Sequence, residues 1–128
     1  MTVQNTIGDV LIVDDEPDIC WALDHLLKAS AIASVTVTNG REALRLAKRH
    51  QFHLIFVDAK LSDMDGLDLA RLIRKADARV RVVLVSGYFY CDDDEVRQAL
   101  AADVINDFIS KPFQHEDVLT IARATLAR

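Results

Sequence analysis

The sequence predicts a three-layer α/β fold, a (βα)5 doubly wound parallel five-stranded sheet, because five short β-branched runs alternate with five amphipathic stretches of helical length. Most of the runs are apolar without polar alternation, as strands covered on both faces require. The chain has 128 residues, 51% of them hydrophobic. That suffices for one such core and is too short for two.

The elements follow in order. A first strand over 10–13 leads into a helix over 17–30, with Pro17 suited to the first helical position. Ile19, Ala22, Leu23, Leu26 and Leu27 form its 3.6-period core stripe, which leaves Cys20, Trp21, Asp24, His25 and Lys28 on or near the outward face. Strands over 34–38, 54–57 and 80–85 alternate with helices over 41–50 and 67–76. A fourth helix spans about 94–102, and the acidic run at 92–95 places negative charge at its N-terminus. A strand over 107–110 and a helix over 114–127 close the series. With no linker, repeat or low-complexity tract, we expect a single domain over 1–128, its first eight residues a short lead.

Fifteen basic and 20 acidic residues give a net charge of −5, and the pI is about 5.2. This balance argues against nucleic acid or an anionic membrane as a partner. Cys20 and Cys91 form neither a CxxC pair nor a disulfide framework, and the four scattered histidines have no metal-ligand spacing. No apolar run approaches a membrane span, and the N-terminus lacks a charged-then-apolar leader. A cytoplasmic location is expected.

In an open α/β sheet the working site lies at the carboxyl ends of the strands. Strand one ends in Asp14-Asp15-Glu16, strand three in Asp58, strand four in Ser86-Gly87 and strand five in Lys111-Pro112. Clustered carboxylates repel unless a cation or protons neutralise them. Oxygen donors without His or Cys favour a hard ion, Mg2+ (or Mn2+). Asp58, ionised at neutral pH, is then a plausible nucleophile toward phosphorus without a general base. Lys111, the Ser86 hydroxyl and a nearby backbone N–H, that of Gly87, would bind the phosphoryl oxygens.

Four segments in order, Val13-Asp14-Asp15-Glu16, 56–66, 84–87 and 108–113, together resemble a response-regulator receiver domain over nearly the whole chain. The resemblance implies a flavodoxin-like sheet of order 2-1-3-4-5, like that of chemotaxis regulators. It implies Asp58 as phosphoacceptor from a sensor histidine kinase or phosphotransfer protein in a two-component phosphorelay. It further implies Mg2+ held by Asp15, Asp58 and the Lys60 carbonyl, with Asp14 acting through water. Lys111 would bond the phosphoryl group, with a cis peptide at Pro112. Ser86 and Phe108 would be the switch pair, biasing a surface of the fourth helix, fifth strand and fifth helix.

Several positions depart from the family pattern. Ser62 stands where proline is usual, which predicts a looser loop, and Lys60 puts a cation where it would alter the phosphorylated state's lifetime. The usual glycine before strand five is missing, and Asn106 is expected to take the left-handed turn instead. The 25 positions from Ser86 to Lys111 imply an insertion near the fourth helix. Trp21 and the Tyr88-Phe89-Tyr90 cluster are candidate partner surfaces, the first for a kinase and the second for gating or output. Two rival readings are a receiver-like binding module independent of phosphorylation and a Mg2+-dependent phosphohydrolase. The hydrolase would want an acidic residue where Lys60 stands, so the chain is expected to be a switch and not an enzyme. No output segment is recognised, and the output partner is left open.

Overall fold

β1 (Val10–Val13), β3 (Leu54–Asp58) and β4 (Arg81–Ser86) form the centre of a parallel sheet, flanked by β2 (Ser34–Val37) and β5 (Asp107–Ser110) in the order β2-β1-β3-β4-β5. The computed structural model describes residues 9–87 and 93–126. The aromatic cluster at 88–90, Cys91 and Asp92 lie outside the described residues. The register sets Val13 beside Val57 and Val37, Asp58 beside Val85, and Ser86 beside Ser110. The carboxyl ends of β1, β3, β4 and β5 therefore share one rim.

Helices α1 (Pro17–Ala29), α2 (Gly40–Arg49), α3 (Gly66–Ala76), α4 (Asp94–Ala101) and α5 (His115–Leu126) follow the strands in turn. Alternation along each strand sorts its side chains between two cores. Leu11, Ile55, Val57, Val82 and Leu84 pack with Ala43 of α2, Leu69 and Ile73 of α3, and Val96 of α4. Val10, Ile12, Leu54, Phe56 and Val83 pack on the opposite face with Leu23 and Leu27 of α1 and Val118 and Ala122 of α5. Burial on both faces explains why β1 and β3 read as continuous apolar runs.

Two expectations need correction. Cys20 is buried in the second core. Its thiol donates to the Asp14 carbonyl at 3.2 Å, so the inward stripe of α1 runs Cys20, Leu23 and Leu27. The left-handed residue before β5 is Asp103, with φ 58°, and among the described non-glycine residues only Ala31, with φ 62°, shares that sign. The C-terminus of α4 demands the reversal directly after Ala102, where Asp103 N–H bonds to Leu100 O (3.1 Å) and Val104 N–H to Ala99 O (2.9 Å). Asn106 instead extends the sheet. Its N–H donates to Val82 O (2.7 Å), and its Oδ1 accepts from Val82 N–H (2.8 Å) and Arg74 Nη2 (2.9 Å).

Candidate functional site: an acidic rim with one lysine

Asp14 immediately follows β1, and its N–H donates to Val37 O (3.2 Å). Asp14 is 1% exposed and Asp58, the last residue of β3, 7% exposed. Asp15, half-buried, completes a group whose carboxylate oxygens lie within 4.8 Å of one another. Lys111 Nζ sits between them, 3.0 Å from Asp14 Oδ2 and 3.4 Å from Asp58 Oδ1, and 3.5 Å from Glu16 Oε1 at the exposed side. Asp14 Oδ1 also accepts from Glu16 N–H at 2.9 Å.

The electrostatics follow from burying more negative than positive charge. Burial, and then the neighbouring Asp14 charge, push the Asp58 carboxyl up to about 6 against the pull of Lys111. Burial likewise raises Asp14 above the ordinary carboxylate range, opposed by the Glu16 N–H and Lys111. Burial alone would lower Lys111, but its bonds to Asp14 and Asp58 outweigh that and hold the ammonium above its usual value. Three clustered carboxylates thus face one ammonium.

Lys111 is placed by β5, where its N–H donates to Ser86 O at 2.9 Å, and the Lys111–Pro112 peptide is cis. Ser86 is buried at the end of β4 and Gly87 is exposed, with the Lys111 Cβ beside its open face. Phe108 is half-buried against the core that faces α2, α3 and α4. The structure thus gathers Asp14, Asp15, Asp58 and Lys111 into one cluster. Trp21 lies apart from it, 64% exposed on α1 and stacked on His25 with centroids 4.7 Å apart.

The loop after β3 is better tied than Ser62 suggested. Leu61 N–H bonds to Met64 O (3.2 Å), Gly66 N–H to Ala59 O (2.8 Å), and Lys60 pairs with Asp65 in an isolated bridge. Lys60 N–H reaches back to the Asp58 carboxylate. Gly66 has no room for a side chain, since a Cβ there would lie 2.2 Å from Asp58 O and 2.7 Å from Ala59 Cα. Sequence reading gave no role to Gly66, to Asp63 or to the inward thiol of Cys20. Gly66 alone left a signal, a glycine opening a helix near the expected nucleophile.

The response regulator receiver domain family matches residues 10–123, and the chain belongs to that family. Among curated relatives, an uncharacterized transcriptional regulatory protein, YkoG, of Bacillus subtilis (strain 168) is 31% identical over 93% of this chain and 51% of its own length. The cell cycle response regulator CtrA of Brucella ovis is 25% identical over 93% of this chain and 50% of its own. The chain spans about half the length of these relatives. A CheY-like receiver domain protein from Methanospirillum hungatei JF-1 superimposes with TM-score 0.84 at 24% identity, covering 93% of both chains. A two-component response regulator from Clostridium difficile does so with TM-score 0.82 at 26% identity, covering 93% of this chain and 95% of its own. The fold is that of the receiver, and the family works in two-component signalling as a phosphoacceptor switch. No helix among the described residues is long and apolar enough to cross a membrane.

Proposed function

We propose that this chain is a phosphorylation-controlled receiver whose phosphoacceptor is Asp58. The observation that carries the reading is the cluster of Asp14, Asp15 and Asp58 around the Lys111 ammonium on the rim where the strands end. Asp58 is mostly ionised at neutral pH even when raised to about 6, so it needs no base. Its carboxylate oxygen attacks the phosphorus of a phosphohistidine, and the imidazole nitrogen leaves. Lys111, already 3.4 Å from Asp58, exchanges its carboxylate partners for a phosphoryl oxygen. The Ser86 hydroxyl and the Gly87 N–H, at the end of β4, would receive the remaining oxygens.

The donor set fits Mg2+. Three carboxylates within 4.8 Å of one another offer hard oxygen ligands, and they outnumber the one ammonium set beside them, that of Lys111. Asp15, Asp58 and the Lys60 carbonyl would hold the ion, with Asp14 reaching it through water. When bound, it neutralises the phosphoryl oxygens so that an anionic nucleophile can approach them.

Phosphorylation would draw Ser86 toward the new group, and Phe108 would follow, altering the surface of α4, β5 and α5. Trp21 is the proposed anchor for the histidine kinase or phosphotransfer partner, an exposed aromatic one turn into the helix that leaves the acidic loop. In this reading the chain is a switch in the cytoplasm, its domain running from the lead before β1 through α5. The output partner is unassigned.

Intact-mass measurement after incubation with Mg2+ and acetyl phosphate tests the assignment. One added phosphoryl group is expected, absent with EDTA and absent in Asp58→Asn. No adduct on a folded protein would favour a binding module independent of phosphorylation. For the partner surface, Trp21→Ala should slow transfer from the cognate kinase while leaving acetyl phosphate labelling unchanged. Equal kinase transfer would exclude docking through Trp21.

A further inference from the structure

The tip of the loop between β3 and α3 is anchored from outside by Asp63 and Met64. Asp63 Oδ1 accepts from the Gly40 N–H at 2.8 Å, and Oδ2 from the Arg41 N–H at 3.0 Å. Those are the first two amides of α2, which have no partner within the helix. Asn39 accepts from the third, Glu42 N–H, at 2.8 Å. A single carboxylate thus ties this loop to the start of α2, 22 and 23 residues away in sequence. Met64 lies on Gly40 so closely that a Cβ there would come within 2.6 Å of the Met64 side chain. The Gly40 N–H, joined by that of Arg41, holds the Asp63 carboxyl below the usual carboxylate range, so it stays ionised in this clasp.

We infer that Asp63 is a positioning residue for the metal half of the site, acting through Lys60. The same loop carries the Lys60 N–H onto the Asp58 carboxylate, and the Lys60 carbonyl belongs to the same short loop. Leu61 and Met64 close the tip on itself, and Lys60 pairs with Asp65, so the loop is tied from its tip to Lys60. Fixing its tip to α2 fixes where the Lys60 carbonyl stands. Proline, which would stiffen such a turn through its own ring, is absent at Ser62. The clasp supplies the stiffness from a neighbouring helix. This inference rests on the metal-binding reading above.

The test compares Asp63→Ala with Asn39→Ala. Both remove a cap from the same end of α2, so both should lower the unfolding midpoint. Mn2+ affinity, read from the free ion's paramagnetic resonance signal well below unfolding, separates them. Asp63→Ala should weaken binding about tenfold, the scale of losing support behind a metal ligand, and Asn39→Ala should leave it within twofold. Asp63→Asn, which keeps one acceptor, should fall between. In metal-free protein, amide hydrogen exchange at 60–66 should quicken in Asp63→Ala alone. Equal Mn2+ affinity in Asp63→Ala and the parent, or equal weakening by Asn39→Ala, overturns the inference and leaves the metal site standing. A parent protein that binds no Mn2+ overturns both.

Discussion

The two ends of the sheet carry charged side chains in opposite circumstances. At the carboxyl rim, Asp14 and Asp58 are buried beside each other with one ammonium between them, and burial pushes both carboxyls up. At the other end the guanidinium of Arg74, late in α3, donates to Val80 O, to Ala78 O (3.1 Å) and to Asn106 Oδ1 (2.9 Å). It thereby ties the end of α3, the start of β4 and the approach to β5. One charge cluster staples the fold. The other is held in an unfavourable state that a cation would relieve. A folded domain tolerates the second because the first, and two apolar cores, offset it.

The sharpest way to break the contrast is to move the backbone beneath the rim. Gly66→Ala forces a methyl group against the Asp58 carbonyl and Ala59 Cα, neither of which is a flexible end that can swing away. A loss of about 3 kcal/mol is expected in urea unfolding, near the upper end for overpacking, together with loss of phosphorylation. A variant as stable as the parent would mean that the loop yields freely.

Arg74→Ala comes next. It should cost about 2 kcal/mol, because carbonyls of three segments lose a charged donor. Acetyl phosphate labelling of the folded fraction should persist, since Arg74 lies at the far end of the sheet.

Asp58→Asn should have the opposite sign. Removing a buried charge next to Asp14 is expected to raise metal-free stability at pH 7 by about 1–2 kcal/mol, a fraction of what a two-unit shift represents because water reaches the rim. The pH course checks the cause. The Asp58 carboxyl titrates near 6 when folded and near 3.9 when unfolded. Between those values the folded state holds more protons, so stability should fall as pH rises from about 4 to about 6. Asp14 acts in the same direction. In Asp58→Asn this slope should flatten and the gain vanish below about pH 4. A parent whose stability instead rises across that range would contradict the charge excess.

The smallest effect concerns the left-handed helix ends. Ala31 at φ 62° pays a Cβ penalty that Gly would not, and Ala31→Gly should add about 0.5–1 kcal/mol. Asp103→Gly should add less, because aspartate tolerates this conformation better. Equal gains in thermal unfolding would show that the side chain at Asp103 contributes nothing.

Periodicity and length determined most of the architecture before any coordinates. The unbroken apolar runs of β1 and β3 report burial on both faces, and five of each element leave few topologies. The rim residues were legible because parallel strands bring their carboxyl ends together, so that Asp14, Asp58, Ser86 and Lys111 could be placed by counting. Contacts across space could not be counted that way. Cys20 turned inward with Leu23 and Leu27 into the core that holds Val10 and Ile12 of β1, a placement that a stripe of Ile, Ala and Leu does not resolve. Asp103 took the left-handed turn because α4 ended there, and Asn106 was claimed by Val82 and Arg74 from other segments. Asp63 reads in sequence as an exposed loop acid, and its carboxylate acquires partners only once α2 is set beside the loop. Local pattern reports which face a residue shows to the core. Which partner it meets there depends on how neighbouring elements are stacked, and that is decided by the packing of the whole domain.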